Sequence, residues 1–591
     1  MAEDKQAEKT AKAELKELRS QAKDGVLKAQ FLLAVKLANG DGGEANEKCA
    51  REAEKWYRKA ARRDFPPAMN NLALLYTGDA LGAPDLKAAL KWYRKAAELG
   101  YARAQAVLGW RLVCGNGAPT NPEEGAAWLT KAAEQGFALA QNNLGVCFSE
   151  GTGVDADEAQ AVGWFRKAAE QGNTAAQFNL GLRCAQGRGT EKDLEVAKEW
   201  LTKAAEKNHA AAQAHLADLL AGDDDAQAAR WYRAAAEAGH AAAQNNLGRC
   251  LAEGIGVEAD ADEAVEWYRR AAEQDCLPAQ FNLGRNLLAA HSPEAAQWLE
   301  LAAAADHTEA QWLLGRALDD GSTLPRDAVA AVKWLRKAAE GGVNEAQFRL
   351  AVSLERGDGV SENLTEAVDW YTLAADAGHA AAQFNLGAMH ARGRGVPADD
   401  AKAFKFYKLA AEQSIASAQC NLGAFYEQGR GTGQSFASAL RWYELAADQG
   451  LARAQYNLAV MLHLGRGTEA NLKQAITWYR QAAKQGHAMA QHVLASLYYH
   501  GEGVEADAAE AAKWCQLAAE QEVPEAQLIL ADCYLRGRGV PEDYVLAYVW
   551  FNRASSHGLE IAEKNKRHTA RYMMPEQIAQ AQQISRAHLA A

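Results

Sequence analysis

ALKWYRKAAELGYARAQAVLGWRLVCGNG, residues 89–117, decides the fold. Ala89, Trp92, Tyr93, Ala96 and Ala97 are spaced i, i+3, i+4, i+7, i+8, which makes one apolar stripe of a helix. Gly100 ends that helix, as a residue able to take positive φ commonly does. Ala104, Leu108 and Leu112 then mark a second helix, and Gly115-Asn116-Gly117 breaks the chain after it. The unit is a helical hairpin. The helix carrying Ala-Gln is helix A and the one carrying Trp-Tyr is helix B.

The phrase Ala-Gln-x-x-Leu-(Gly/Ala) returns along the whole chain, beginning at Ala29, Ala68, Ala104, Ala140, Ala176, Ala212, Ala243, Ala279, Ala310, Ala346, Ala382, Ala418, Ala454, Ala490 and Ala526, with only Met69 in place of glutamine. The interval is 36 residues, save one of 39 and two of 31. Both short intervals lose their residues in the A-to-B turn, in the units at Ala212 and Ala279. Self-similarity at such a period means stacked supersecondary units. The expected fold is all-α, a right-handed α-solenoid of about fifteen 36-residue helix-turn-helix repeats. Residues 1–24 read as an N-terminal capping helix, 25–561 as the solenoid and 562–591 as C-terminal capping helices. Fourteen of the sixteen tryptophans recur at one place in helix B, with Phe406 in the remaining copy. They are expected to be buried core residues.

Composition narrows the function. The net charge of −12 argues against a broad nucleic-acid surface. No apolar run is long enough to span a bilayer, and the N-terminus has no apolar signal core, so membrane insertion and secretion are not expected. Nine cysteines at scattered registers suit a reducing cytoplasm and read as small core residues, Cys147, Cys184, Cys250 and Cys533 among them. No HExxH, CxxC, GxSxG or phosphate-loop motif is present. The Gly-x-Gly pairs, such as Gly393-Arg394-Gly395, read as inter-helix turns. His209, His240, His307, His379 and His487 each stand three residues before the alanine, too far apart for shared metal ligation. No enzyme activity, cofactor or metal is expected.

A unit reading A-Q-x-x-L-G-x-x-Y-x-x-G-x-G-V and then A-x-x-W-Y-x-K-A-A-x-x-G resembles the Sel-one-like repeat, a relative of the tetratricopeptide repeat. AQHVLASLYYHGEGV and AAKWCQLAAEQ, from Ala490 onward, carry it well. The resemblance implies helix A on a concave face, a scaffold or adaptor role and a bacterial source. Cysteine-rich relatives staple each hairpin with disulfides, but partner cysteines are missing here.

Non-repeating residues must then carry specificity. On a helical wheel, the positions two and six after the alanine point away from the core. The former is aromatic in Phe281, Trp312, Phe348 and Phe384, and the latter is arginine in Arg249, Arg285 and Arg316. This stripe suits an extended or acidic peptide segment. The third position is asparagine in eight units, Asn282 and Asn385 included, placed either to bond a bound backbone or to tie repeat to repeat. Arg394, Arg430, Arg466 and Arg538 share a turn position and could form a basic edge. The leading expectation is a monomeric, non-enzymatic scaffold binding protein or peptide partners. The rivals are a secretion-system immunity or host-interaction protein with one cognate partner, and a hydrolase or cell-wall-fragment binder.

Overall fold

The computed structural model describes residues 14–40 and 47–589, and among them 33 helices and no strand are found. The stretch before residue 14, part of the expected N-terminal cap, lies outside the described residues. The chain forms an α-solenoid of consecutive helical hairpins. It divides into two compact units, with the boundary between Asn286 and Leu287.

One hairpin shows how the sequence builds the rest. Helix A spans Ala138–Glu150 and ends on Gly151, whose N–H bonds to the Cys147 carbonyl. Helix B spans Glu158–Glu170 and starts at Asp157, whose carboxylate accepts the Gln160 N–H. The cap satisfies a donor that the helix start would leave bare. The short hairpin at Ala212 keeps the pattern: Ala210–Leu220 is followed almost at once by Asp225–Glu237, capped by Asp224. Helix B of the short hairpin at Ala279, Ala295–Ala304, instead starts at Glu294 without a side-chain cap.

The repeated residues form the core. The leucine four places after the alanine is at most 2% exposed in every copy. The small residue beside it faces helix B of the same hairpin: a Cβ on Gly248 would lie 2.8 Å from the Tyr268 ring. The four cysteines read as core residues, Cys147, Cys184, Cys250 and Cys533, are buried free thiols.

Tryptophan behaves differently from expectation. Trp267, Trp298, Trp334 and Trp514 are buried, but the other ten repeat tryptophans are only half-buried. The residue after each is the true core side chain, at most 3% exposed in all fifteen copies, from Tyr57 to Phe551. The indoles lie along the flank of helix B. Trp267 donates to Glu263 at 3.0 Å and Trp514 to Glu510 at 3.0 Å. Lys167 and Lys203 stand 4.0 Å from the centres of Trp164 and Trp200. An amphipathic ring with a cation on its open face does not need full burial.

The repeated glutamine bonds back to the preceding helix B, and in about half of the repeats it ties three helices together. Gln105 donates to the Ala97 carbonyl of the preceding helix B at 3.0 Å and accepts from Gln135, at the end of the next helix B, at 2.7 Å. The same pair of bonds recurs at Gln141 and at Gln491. A buried amide left without partners would cost about 1–3 kcal/mol, which explains why this residue hardly varies.

At the N-terminal end the helix over 14–23 buries Ala22 and leaves Glu17 exposed, with Leu15 and Leu18 against the first hairpin. At the other end Glu560–Ala570 buries Ala562, and Pro575–Leu589 sets Ile578 and Ile584 against Val549 and Met573.

Candidate partner-binding surface

Helix A carries the non-repeating positions, and its surface is described within each unit separately. The first unit holds Arg249, Phe281, Asn282 and Arg285. Both arginines are exposed. Phe281 is not: it is 6% exposed, and Arg285 covers its ring at 5.6 Å. Burial against the repeat leaves Phe281 almost no surface to offer a partner, a correction to its expected role.

The second unit holds Trp312, Arg316, Phe348, Phe384 and Asn385. The three rings and Arg316 are half-buried. Arg316 lies 5.7 Å over Trp312, and Arg349 of the next repeat lies 5.7 Å over the same ring. Phe348 stacks on His379 at 4.4 Å, just as Phe178 stacks on His209 at 4.7 Å and Tyr456 on His487 at 4.6 Å. An aromatic at the second position therefore clasps the first turn of the next repeat. It does this outside the four successive units as well as inside them.

The asparagines also join repeats. Asn282 donates to Asn245 at 2.9 Å, Asn179 to Asn142 at 3.1 Å, and Asn385 to the Tyr371 hydroxyl at 3.1 Å. The turn arginines reach back to the preceding repeat: Arg394 to Glu355 at 3.1 Å, Arg430 to Asp400 at 2.6 Å, Arg466 to Glu427 at 3.2 Å and Arg538 to the Tyr499 hydroxyl at 3.1 Å. Arg394, Arg430 and Arg466 have their charge paired within the stack, so these three consecutive turns do not form a free basic edge.

The five repeated histidines are N-caps. Nδ1 of His209, His240, His307, His379 and His487 accepts the N–H of the repeat alanine at 3.1–3.3 Å. Asn173 fills the same place and accepts from Ala176 at 2.9 Å. No group of three or more metal-ligating side chains occurs among the described residues. Burial pushes His209, His240 and His487 below the usual histidine range; His215 beside His240 and Arg453 near His487 act the same way, while Asp218 opposes them at His240. A group whose folded pKa is depressed contributes stability that is complete above its unfolded pKa of about 6.5 and is lost as pH falls towards the folded value. Chemical denaturation midpoints should hence drop between about pH 7 and 5. His487→Asn, which caps without titrating, should drop less over that range. Identical pH profiles would remove the caps as the cause.

Two hollows open on helix A of the second unit, at corresponding places in successive repeats. One, of about 210 Å³, lies between Phe348, Val352 and Arg356, with Asp319, Arg349 and Asp358 at its wall. The other, of about 180 Å³, lies between Phe384, Ala388 and Arg392, with Glu355, Asn385 and Arg394. Phe348, Phe384 and Asn385 were expected at such a surface from the sequence. Arg356 and Arg392 were not. They stand ten places after Ala346 and Ala382, and their recurrence at that register was the available signal. No described helix is long and apolar enough to cross a membrane.

Known proteins carry the same repeat. The Sel1 repeat pattern matches fifteen consecutive segments, from 27–65 to 524–559. A protective antigen present in uropathogenic Escherichia coli strains, displaying an SLR fold, is 31% identical with a TM-score of 0.47, over 85% of this chain and 94% of that one. A Sel1 repeat protein from Oxalobacter formigenes is 31% identical with a TM-score of 0.41, over 57% of this chain and 89% of its own. An immunity protein from Pseudomonas aeruginosa is 22% identical with a TM-score of 0.24, over 37% of this chain and 82% of its own. No curated protein matches in sequence. Each hairpin from Leu27 to the end of helix B at Ser556 falls within a matched segment, and the chain belongs to the Sel1 repeat family.

Proposed function

We propose that this chain is a non-enzymatic scaffold that holds a partner protein on the helix-A surface of the repeats at Ala346 and Ala382. Sel1 repeat proteins generally mediate protein–protein interactions. The observation that carries the specific reading is the pair of hollows. They sit at equivalent positions one repeat apart, each floored by a half-buried phenylalanine and edged by an exposed arginine. Interfaces concentrate their affinity in such apolar pockets with an arginine beside them.

The test is affinity capture from the source cell, comparing wild type with Val352→Gln/Ala388→Gln. Both residues are half-buried, and glutamine fills the hollows without adding charge or breaking the helix. A partner held by wild type and reduced at least tenfold by a variant with an unchanged melting curve supports the surface. Equal retention by both proteins removes it.

A further inference from the structure

The flank of helix B changes character between the two units. In the first, the residue three places after each tryptophan is a cation that covers the indole. Lys59, Lys95, Lys131, Lys167 and Lys203 stand 4.0–5.1 Å from the ring centres, and Arg270 stands 4.5 Å from that of Trp267, with Ala234 the one departure. In the second unit leucine takes this place five times, as Leu301, Leu373, Leu409, Leu445 and Leu517, and all five are exposed. Three of them, Leu373, Leu409 and Leu445, fall in successive repeats and are 50%, 37% and 41% exposed. A single exposed leucine is ordinary on a protein surface, but three at one register of successive repeats make a patch. The rings three places before them continue it. Phe406 shares a core cluster with Tyr371 and Ala374 of the preceding helix B, and Trp442 packs against the cluster that holds Tyr407 and Ala410. Each ring therefore bridges from its own helix B to the one before it.

Leucine in place of lysine also strips these helix ends of positive charge. Leu364–Asp376, Asp400–Glu412 and Phe436–Asp448 have no basic residue in the last turn, where helices of the first unit carry Lys95, Lys131, Lys167 and Lys203. Each of the three ends on a carboxylate three places after its leucine, hence on the same face, and the carbonyl end of a helix is itself negative. Asp376, Glu412 and Asp448 are exposed. Lys408 lies 3.9 Å from Glu412, while Asp376 and Asp448 make no ion pair among the described residues. The other cations of these helices, Lys402, Lys405 and Arg441, stand in earlier turns. The ridge is apolar along its crest and negative along the edge made by the helix ends, and this charge selects the occupant. An amphipathic helix sets its cations directly beside an apolar stripe along its whole length, so it can meet both rows whatever the advance per repeat. We infer that the Leu373, Leu409 and Leu445 ridge docks a basic amphipathic helix of a partner protein. Its apolar stripe lies on the leucines and its lysines or arginines face Asp376 and Asp448. This surface belongs to helix B and does not rest on the helix-A hollows.

The test uses the full chain and labelled synthetic peptides read by fluorescence anisotropy. The first probe is Leu-Lys-Lys-Leu-Leu-Lys-Leu repeated twice, and the second has glutamate for every lysine. Wild type should bind the first at least tenfold more tightly than the second. Leu373→Gln/Leu409→Gln/Leu445→Gln removes the apolar crest at constant charge, and Gln481 already holds this register in the native chain. That variant should lose at least tenfold on the first probe with an unchanged melting curve, and Asp376→Asn/Asp448→Asn should lose at least threefold. Undiminished binding by the glutamine variant would mean non-specific attraction of a cation to an acidic protein and would overturn the inference. So would equal binding of the two probes, no loss in the asparagine variant, or no binding of the first probe at millimolar concentration. Sedimentation velocity covers the other occupant: self-association of wild type that the glutamine variant abolishes would assign the ridge to a second copy of this chain instead. Val352→Gln/Ala388→Gln should bind the first probe as wild type does, and a loss there would move the peptide to the helix-A hollows and overturn the helix-B site.

Discussion

Gly539→Ala should destabilise the chain by about 2–5 kcal/mol, far more than any other glycine-to-alanine change in an inter-helix turn that lacks its contact. Gly539 has φ +74, and a Cβ there would lie 1.9 Å from the Ala508 carbonyl oxygen, at the start of the preceding helix B. The left-handed conformation accounts for about 1–2 kcal/mol and the overlap with fixed backbone for a further 1–3 kcal/mol. Gly486 provides the control. It has φ +88 and nothing within 4 Å, so Gly486→Ala should show the conformational cost alone. Urea unfolding followed by circular dichroism distinguishes the two. Because stability in a stack is largely a sum over neighbours, Gly539→Ala should also bring forward a separate early transition. Equal midpoints for the two variants would show that the repeats can be spread apart at little cost.

The second large effect concerns helix B. Tyr443→Ala should cost about 3–5 kcal/mol, the range for losing a buried aromatic side chain. Tyr443 is 1% exposed, packs on Gly423 and donates its hydroxyl to Glu427 at 2.9 Å. Trp442→Ala should cost less, about 1–2 kcal/mol, since that larger ring is only partly buried. Tyr443→Phe should cost about 1 kcal/mol, because Glu427 keeps Arg466 as a partner at 3.2 Å. Thermal and denaturant midpoints measure all three. A larger loss at Trp442 than at Tyr443 would return the tryptophan to the core.

That contrast shows what the sequence could reveal. The period, the helix A and B stripes and the Gly-x-Gly turns were all legible, because each depends on residues within one hairpin. The burial order of Trp442 and Tyr443 was not, because both fall on the apolar side of the wheel and only the neighbouring helices decide which one turns inward. The surface was harder still. Arg394 and Arg356 look alike in the sequence, but one is neutralised by Glu355, 39 residues away, while the other stays free. A wheel drawn for one helix cannot record such pairings. It also placed Phe281 outside, although that ring is covered. The capping role of the repeated histidines depends on a backbone N–H that composition does not display.

The glutamine joints have a consequence for how such a chain can change through its history. Gln244 reaches the Ala236 carbonyl at 3.1 Å, and Gln311 reaches Ala303 at 3.0 Å, although each of these joints follows a hairpin shortened by five residues. The joint is indifferent to what happens in the turn on the far side of its hairpin. Unequal recombination between two like-sequenced repeats would then present every glutamine with the same acceptor it had before. Whole hairpins could be gained or lost in one genetic event without inventing a new contact, and the number of units becomes a trait that varies more freely than any residue within them.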